Sequence, residues 1–558
     1  MRLPLRSRPL LTFIRGTTFT SSGVISRAPS VQSSATTTRQ GRSLPARPRL
    51  RALHGGASHR HRPFSRRVVV ETEAADIESD AAVIAPSASG VALIVPAPAA
   101  AGTTSDKALK SRVWGLALPS IGEQLLSLGV GLSDTFLSGH LSDQAVHTLG
   151  YGRATAVAAV GIASTAAWIV LTVFFGVNIG VTALVARATG ARDRQLAART
   201  VGQGIWLGAA IGLAMIGLAI PLAHVIISLL GVTGTEAELA ASYIRVYSLT
   251  MPAAGAASAM NAAMRGAGDA RRPLMVMLVV NGANIVASWT LMNGIPALGI
   301  APIGVVGSAV GAATGWTFGC VLAAFLMTRQ HARAPQLTRA ALRPNPSIMG
   351  RVLRVGIPSA AELVVFQLGV LTFNRVVIGL GPVTYAANVT INTVDSVGTL
   401  PGFGFSVAAT ALVGQALGAR DTRLAERSVW AALRPAVVVM LIVGLFEALI
   451  PHALLGVFVA DRPVLNAGDI AMRLSLLLMP ASACAFVFNG ALRGAGDTRF
   501  PVVVRAIGTW GLRLPIAVLL IPLWGLPGAR LAMGLDFWTQ AGLSYLRFRS
   551  GRWRHTRV

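Results

Sequence analysis

NAAMRGAGDARRP, from Asn261 to Pro273, recurs as NGALRGAGDTRFP, from Asn489 to Pro501, 228 residues later. The same offset relates LVARATGARDRQLAARTV, Leu184 to Val201, to LVGQALGARDTRLAERSV, Leu412 to Val429. Two polar cassettes that recur at one spacing mark a duplicated unit, and a fixed internal period has to be read before any local feature. Pro119-Ser-Ile-Gly-Glu123 and Pro358-Ser-Ala-Ala-Glu362 carry the duplication toward the start of each half.

What is duplicated follows from composition. The chain has 558 residues, of which 53% are hydrophobic and 13% charged, with a mean hydropathy of +0.60. Its apolar segments have the length a helix needs to cross a hydrocarbon layer roughly 30 Å thick, and helices satisfy their own backbone there. Twelve segments emerge, near 114–138, 154–184, 200–222, 243–264, 274–292, 304–327, 352–378, 384–413, 428–450, 470–490, 501–521 and 525–546. The expected fold is an all-α polytopic membrane protein of twelve transmembrane helices in two parallel six-helix repeats. Six crossings per unit return the chain to the same face, so the repeats are related by an axis along the membrane normal.

The net charge of +27 does not form a folded basic face for nucleic acid. Fourteen arginines and no acid lie in residues 1–70, and most of the rest occupy short loops. Arg187, Arg192, Arg194 and Arg199, then Arg265, Arg271 and Arg272, then six arginines from Arg329 to Arg354, then Arg420, Arg423 and Arg427, then Arg493 and Arg499 mark alternate loops. Arginine-bearing short loops stay cytoplasmic, which puts both ends of the chain on that side. Cys320 and Cys484, the two cysteines, lie in apolar stretches and offer neither a disulfide framework nor a CxxC site.

The expected organisation is an extension over 1–105, an N-lobe over 112–328, a cytoplasmic linker over 329–351, a C-lobe over 352–549 and a basic tail over 550–558. The extension reads as disordered, either an organelle transit peptide or an upstream stretch from an Arg-biased genome. The linker serves as a hinge or as a simple connector.

Ionisable side chains inside membrane helices are costly and nominate functional sites. They are Glu123, Asp134, Glu362, Asp395, Glu447, Arg505, Arg513 and Asp536. Glu123 and Asp134 stand eleven residues apart, about three turns, on one face with Ser127 between them. In the second half Glu362 matches Glu123, whereas Asn374 is taken as the partner of Asp134, so the halves match in polarity but not in charge. An acid at Asp134 can take a proton or help ligate Na+, or it can hydrogen-bond neighbouring helices. Glu123 and Glu362 are candidates for cation contact or structural hydrogen bonding, and Asp395 for the path; Glu447, near an outer helix end, is expected to be solvated. Asn281, Asn284 and Ser288 share one face of the fifth helix and either line a cavity or bond between helices. The Arg-Gly-Ala-Gly-Asp cassettes lack the Lys-Ser/Thr of a phosphate loop and read as tight cytoplasmic turns, glycine closing one helix and proline opening the next. No ATP-binding motif is present, so no cofactor is expected beyond a coupling ion, H+ or Na+, and the energy comes from an ion gradient or from an accessory subunit.

These residues resemble the multidrug and toxic compound extrusion (MATE) family, in a DinF-like prokaryotic branch. The resemblance rests on the Pro-Ser starts at Pro119 and Pro358, SDTFLSGHL from Ser133, the Gly-Ala-Arg-Asp loops at Gly190 and Gly418, the doubled RGAGD turn and RLPIA from Arg513. It covers residues 112 to about 549. It implies an antiporter that expels organic, often cationic, compounds in exchange for H+ or Na+ through alternating states of two lobes. Asp134 takes the first-helix coupling position of the family. Asn284 matches the Asn of its N-x-x-x-D pair, with Ser288 in place of the Asp; Na+ near Asp134 and Asn284 stays open, and no other metal is expected. The tenth helix lacks the NorM-type acid, which favours H+. The partners expected are small organic substrates and the lipid bilayer, for a monomer in the plasma membrane, or in a chloroplast membrane if residues 1–105 are a transit peptide. Alternatives are a flippase for lipid-linked precursors, an organic-acid or metabolite exporter, and a non-transporting receptor or scaffold.

Overall fold

The computed structural model describes residues 105–229, 231–295, 299–329 and 335–556; the basic extension up to residue 104 lies outside them. The described chain is all-α, with one isolated bridge between Ile295 and Ile300. Helix α1 (Asp106–Gly139) carries the first predicted segment, and the short α2 (Asp143–Leu149) follows it. Segments two and three are α3 (Arg153–Gly190) and α4 (Arg194–Leu229); the fourth is split into α5 (Thr235–Ser248) and α6 (Met251–Gly266); the fifth and sixth are α7 (Arg271–Asn293) and α8 (Val305–Thr328).

In the second half α9 (Pro346–Ile378) is the seventh segment, α10 (Pro382–Gly398) with α11 (Leu400–Gly418) the eighth, and α12 (Thr422–Leu449) the ninth. After the short α13 (Pro451–Gly456), the tenth is split into α14 (Arg462–Arg473) and α15 (Ser475–Gly494). The eleventh begins as α16 (Arg499–Ala506), passes through a π-helical stretch at Ile507–Arg513 and enters α17 (Leu514–Arg549). Gly525, at φ 57° and ψ −135°, breaks α17 where the twelfth segment was expected to begin.

Nine stretches among the described residues are long and apolar enough to cross a membrane, the last of them the 51 residues Arg499–Arg549. At 1.5 Å per residue that is far longer than one crossing, and the break at Gly525 divides it into two. The first and fourth predicted segments fall outside the nine for visible reasons. Helix α1 holds Glu123 and Asp134 in its span, and the fourth is interrupted at Leu249–Thr250 into pieces of 14 and 16 residues.

The side chains that point away from the bundle are apolar, as lipid requires: Leu132, Val286, Leu213 and Leu519 are each more than 60% exposed. With no hydrophobic gain available between helices in lipid, close backbone approach has to hold them together. Helix α8 meets α7 through Gly307, Gly311, Gly315 and Gly319, one glycine per turn. A Cβ at Gly315 would lie 2.5 Å from the Val280 carbonyl oxygen, and one at Gly311 would lie 2.0 Å from Ser288 Oγ. A stripe of small residues at this spacing is a common solution for apposed membrane helices.

The two halves of the chain touch at the end that carries the arginine loops. Gly176 and Gly180 of α3 abut the backbone of Gly356 and Val352 on α9, while Gly404 of α11 abuts Ala117 on α1. Nearer the loops, Gly190 abuts Gln415, and Gly418 abuts Arg187. Gln415 Nε2 donates to the Gly266 carbonyl at 2.9 Å, and Arg187 Nη2 donates to the Ala495 carbonyl at 2.9 Å. Thus each half clasps the RGAGD turn of the other.

The doubled turns have the expected chemistry. Gly268 (φ 92°) and Gly496 (φ 81°) take the left-handed position that ends a helix. In the GARD loops Arg192 (φ 57°) and Arg420 (φ 60°) hold a similar left-handed conformation, and Asp193 and Asp421 accept from the backbone of Leu196 and Leu424 at 2.8 Å as helix caps. The linker is not a loose connector where it is described. Gln203 on α4 bonds to Ala341, Arg343 and Asn345, and Trp206 Nε1 donates to the Leu342 carbonyl at 2.7 Å. Beyond α17, Trp553 is fully buried against Phe548, their rings stacked at 5.3 Å.

Candidate functional site

Asp134 lies three-quarters of the way along α1 and is 1% exposed. Tyr243 Oη of α5 donates to its Oδ2 at 3.2 Å, and Asn284 Nδ2 of α7 donates to its Oδ1 at 3.3 Å. Asn284 Nδ2 also reaches Ser288 Oγ at 3.3 Å, whose hydroxyl donates to the Ser308 carbonyl of α8 at 3.4 Å. Asn284, Ser288 and Ser308 are fully buried, Tyr243 is 2% exposed and Tyr247 stacks on it at 5.6 Å. Four segments therefore converge on one carboxyl, and both hydrogen bonds it receives come from neutral groups. Asn284 Oδ1 is buried with no donor.

Asn281, one turn earlier on α7, turns its amide back to the Met277 carbonyl at 2.9 Å, and its Oδ1 lies 3.0 Å from where a Cβ at Gly129 would be. It serves the α1–α7 contact. Ser127, expected on the face shared by Glu123 and Asp134, is exposed.

Glu123 does not join Asp134. It pairs with Arg265, the arginine of the first RGAGD cassette. In the second half Glu362 pairs with Arg493, the arginine of the second cassette, through Nη2 to Oε1 at 2.6 Å and Nε to Oε2 at 3.3 Å. Both cassette arginines were read as loop charges that set topology. Instead each long side chain reaches back along the bundle to the duplicated glutamate, and the repeat contains a duplicated ion pair. Arg505 Nη2 adds a second cation 3.7 Å from Glu362.

Asp395 and Asp536 of the second half are matched as well, the first to a cation and the second to neutral donors. Arg530, 2% exposed, grips Asp395 with Nη1 to Oδ2 at 2.6 Å and Nη2 to Oδ1 at 3.1 Å, and donates to Ser475 Oγ at 2.8 Å. Asp536 accepts from Gln540 and from Thr509 on the π-helical stretch, and Arg513 from the same stretch lies over the Phe373 ring at 4.1 Å. Short π-helical turns within α-helices recur at functional positions because they re-aim side chains.

Two expectations need correction. Glu447, expected to be solvated at a helix end, is 2% exposed, and neither carboxylate oxygen has a hydrogen-bond partner. The packing of α12 against α10 and α15 covers it, so helix position alone misjudged its exposure. Asn374, taken as the counterpart of Asp134, is only half-buried. At the spacing that relates Pro119 to Pro358 and Glu123 to Glu362, Asp134 falls on Phe373, which is buried beneath Arg513.

Tyr243, Ser308 and Arg530 were not singled out from the sequence. Tyr243 is one of five tyrosines in the chain, a scarcity that could have drawn attention to one inside a span. Ser308 sits 228 residues before Asp536, so the repeat offset pairs a serine with an acid and could have nominated both. Arg530 lay inside the twelfth predicted span, and its intramembrane charge was itself the signal. Among the described residues no group of three His, Cys, Asp or Glu side chains is placed to hold a metal ion.

Comparison with known proteins accords with this geometry. Residues 119–290 and 358–519 match the MatE family model, one match per half. The chain is 29% identical over 457 residues to the probable multidrug resistance protein NorM of Thermotoga maritima, spanning 81% of this chain and 94% of that one. It is 30% identical over 406 residues to the multidrug resistance protein NorM of Burkholderia vietnamiensis, spanning 71% and 84%. The fold is that of a MATE protein crystallised in complex with MaL6, with a TM-score of 0.71 at 21% identity over 80% of this chain and 98% of that one.

Proposed function

We propose, on the premise that this chain belongs to the MatE family of membrane transporters, that it exports organic, often cationic, compounds in exchange for H+ by alternating access. Multidrug and toxic-compound efflux across a membrane is the coarser statement that the family carries; the ion coupling is our reading. One observation supports it above the others: Asp134 is a buried acid whose hydrogen bonds all come from neutral groups. A carboxylate in a water-poor interior is costly to leave without a countercharge. No arginine supplies one at Asp134, so a proton or a bound cation must, and either can exchange with the gradient.

Occupancy of Asp134 then biases the lobe that contains it. Tyr243 belongs to α5 and Asn284 and Ser288 to α7, so neutralising the carboxyl changes what holds α1, α5 and α7 together. A ligand shifts a conformational equilibrium only through such differential contacts. The clasps at Gln415 and Arg187 hold the halves together at the arginine-loop end, which suits a state sealed on the cytoplasmic side. Opening that side requires both clasps to part.

Na+ is a second reading with its own support, since the unpaired Asn284 Oδ1 adds a hard oxygen beside Asp134. A lipid-precursor flippase or an organic-acid exporter would call for free cationic groups in the path. In the second half Arg493, Arg505 and Arg530 are engaged by Glu362 and Asp395, which argues against both; Arg513, over the Phe373 ring with Nε and Nη1 unpartnered, is the cation such a reading would use. We place the protein in the plasma membrane, with one chain as the transporting unit.

The test is efflux of a cationic dye from proteoliposomes under an imposed pH or Na+ gradient. Wild type is expected to respond to the pH gradient, and Asp134→Asn to show background efflux at unchanged expression and insertion. Efflux by Asp134→Asn at the wild-type rate would overturn the assignment of Asp134, and a response to Na+ alone would select the second reading.

A further inference from the structure

A cleft of ≈ 570 Å³ opens between the start of α1 and the first half of α12. Asp106, Leu109, Lys110 and Trp114 line it from α1; Arg427, Trp430, Arg434 and Val438 line it from α12. It lies apart from the polar cluster around Asp134, and nothing in the transport reading uses it.

Its chemistry is layered along the membrane normal. Both helices begin at the arginine-loop end, so their side chains lean toward that surface. Trp114 and Trp430 each stand eight residues from their helix start, about 12 Å in. At 37% and 40% exposed, they offer an amphipathic ring edge on either side of the cleft. Tryptophan takes this level at membrane interfaces. Lys110, one of the chain's two lysines, and Arg427 stand a turn nearer the surface than the rings and Arg434 a turn deeper, all three lining the cleft. Arg427 Nη2 pairs with Asp106 at 2.6 Å, and that hydrogen bond, helped by Lys110 and Arg434, holds the Asp106 carboxyl below its usual range. Three cations thus face one acid, and Lys110 and Arg434 are exposed. Pro435, Val438 and Val439 give the inner end an apolar wall.

A soluble phosphate would match the cations but not the apolar wall or the tryptophans. A zwitterionic lipid would match the wall but gain little from an excess of two positive charges. We propose that this cleft binds an anionic phospholipid of the arginine-loop leaflet, its phosphate among Lys110, Arg427 and Arg434 and one acyl chain along Val438 and Val439. Basic pockets between membrane helices on the cytoplasmic side are suited to anionic headgroups. Helix α1 belongs to the first repeat and α12 to the second, so a lipid seated here ties the halves at the end where the Gln415 and Arg187 clasps also lie. The bound lipid therefore favours the state in which that end is closed.

The experiment is retention of added phosphatidylglycerol by the full chain in neutral detergent, read by native mass spectrometry beside phosphatidylcholine, with inorganic phosphate as competitor. Phosphatidylglycerol is expected to be retained over phosphatidylcholine and not displaced by phosphate. Lys110→Gln with Arg434→Gln should weaken retention roughly 30-fold, about fivefold per cation near an anionic headgroup. The charge-conserving pair Lys110→Arg with Arg434→Lys should keep it, which separates loss of charge from loss of fold. Equal retention of the two lipids, wild-type retention by the glutamine variant, or displacement by inorganic phosphate would each overturn the proposal.

Discussion

Asp134 in the first half of the chain and Glu362 and Asp395 in the second are buried acids placed in opposite ways. In the first half Asp134 sits among a tyrosine, an asparagine and serines, with no cation in contact. In the second half Glu362 is held by Arg493 with Arg505 beside it, and Asp395 is held bidentately by Arg530. A fixed guanidinium supplies a permanent countercharge, so a clamped carboxylate stays ionised and its lobe stays rigid. A carboxylate surrounded by neutral donors depends on a mobile ion for its charge balance. The duplicated Glu123–Arg265 and Glu362–Arg493 pairs show that the contrast is local: both halves contain the clamp, and the buried acids outside it differ, Asp134 receiving Tyr243 and Asn284 in the first half while in the second Asp536 receives Gln540 and Thr509 and Glu447 has no hydrogen-bond partner.

The contrast can be broken most severely at Asp134, where Asp134→Asn is expected to abolish gradient-driven efflux while leaving thermal stability near wild type. The clamped acids should behave the other way round. Glu362→Gln leaves Arg493 and Arg505 buried with one carboxylate fewer, and should destabilise the protein by roughly 3–5 kcal/mol, read as a fall in unfolding temperature or folded yield. Replacing both Glu362 and Arg493 with methionine should recover part of that loss, because Arg493 goes with its partner while Arg505 stays buried. If Glu362→Gln stopped transport with stability unchanged, the division between halves would fail.

A finer test is Tyr243→Phe, which removes one neutral donor from Asp134 and should slow efflux by roughly two- to tenfold, the worth of one hydrogen bond of about 0.5–1.5 kcal/mol. The smallest effect is expected at Asp106, outside the span. Arg427 holds its carboxyl below the usual range, so the ion pair is complete at neutral pH and is lost only as pH falls through that lowered value. Unfolding temperature should therefore be flat between about pH 7 and pH 5 and barely changed in Asp106→Asn, since exposed ion pairs contribute little.

Much of the architecture was readable before any coordinates. Hydropathy and the 228-residue offset located the long helical segments and the duplication, though not the short α2 and α13, because a membrane helix must be apolar over its whole length and a repeat must preserve its turns. Asp134, Asn284 and Ser288 were legible because polar side chains in a span are rare and their spacing puts them on a common face. Their partners were not. Tyr243 lies 109 positions from Asp134, and helical periodicity says which face a residue occupies without saying which helix faces it. The cassette arginines misled for the same reason: a loop position predicts the charge's side of the membrane, whereas a long side chain chooses its partner in three dimensions. Glu447 shows the limit from the other side, since depth along a helix could not reveal the helices that cover it.

By itself, then, the sequence determined the all-α membrane class, the order of the apolar segments, the doubling of the unit and the short set of buried polar residues worth attention. Those properties depend on local composition and spacing. Only the tertiary structure decided which acids are clamped by arginine and which receive neutral donors alone. Charge balance inside a membrane protein is settled between side chains a few ångströms apart in space, and chain separation carries almost no information about that distance.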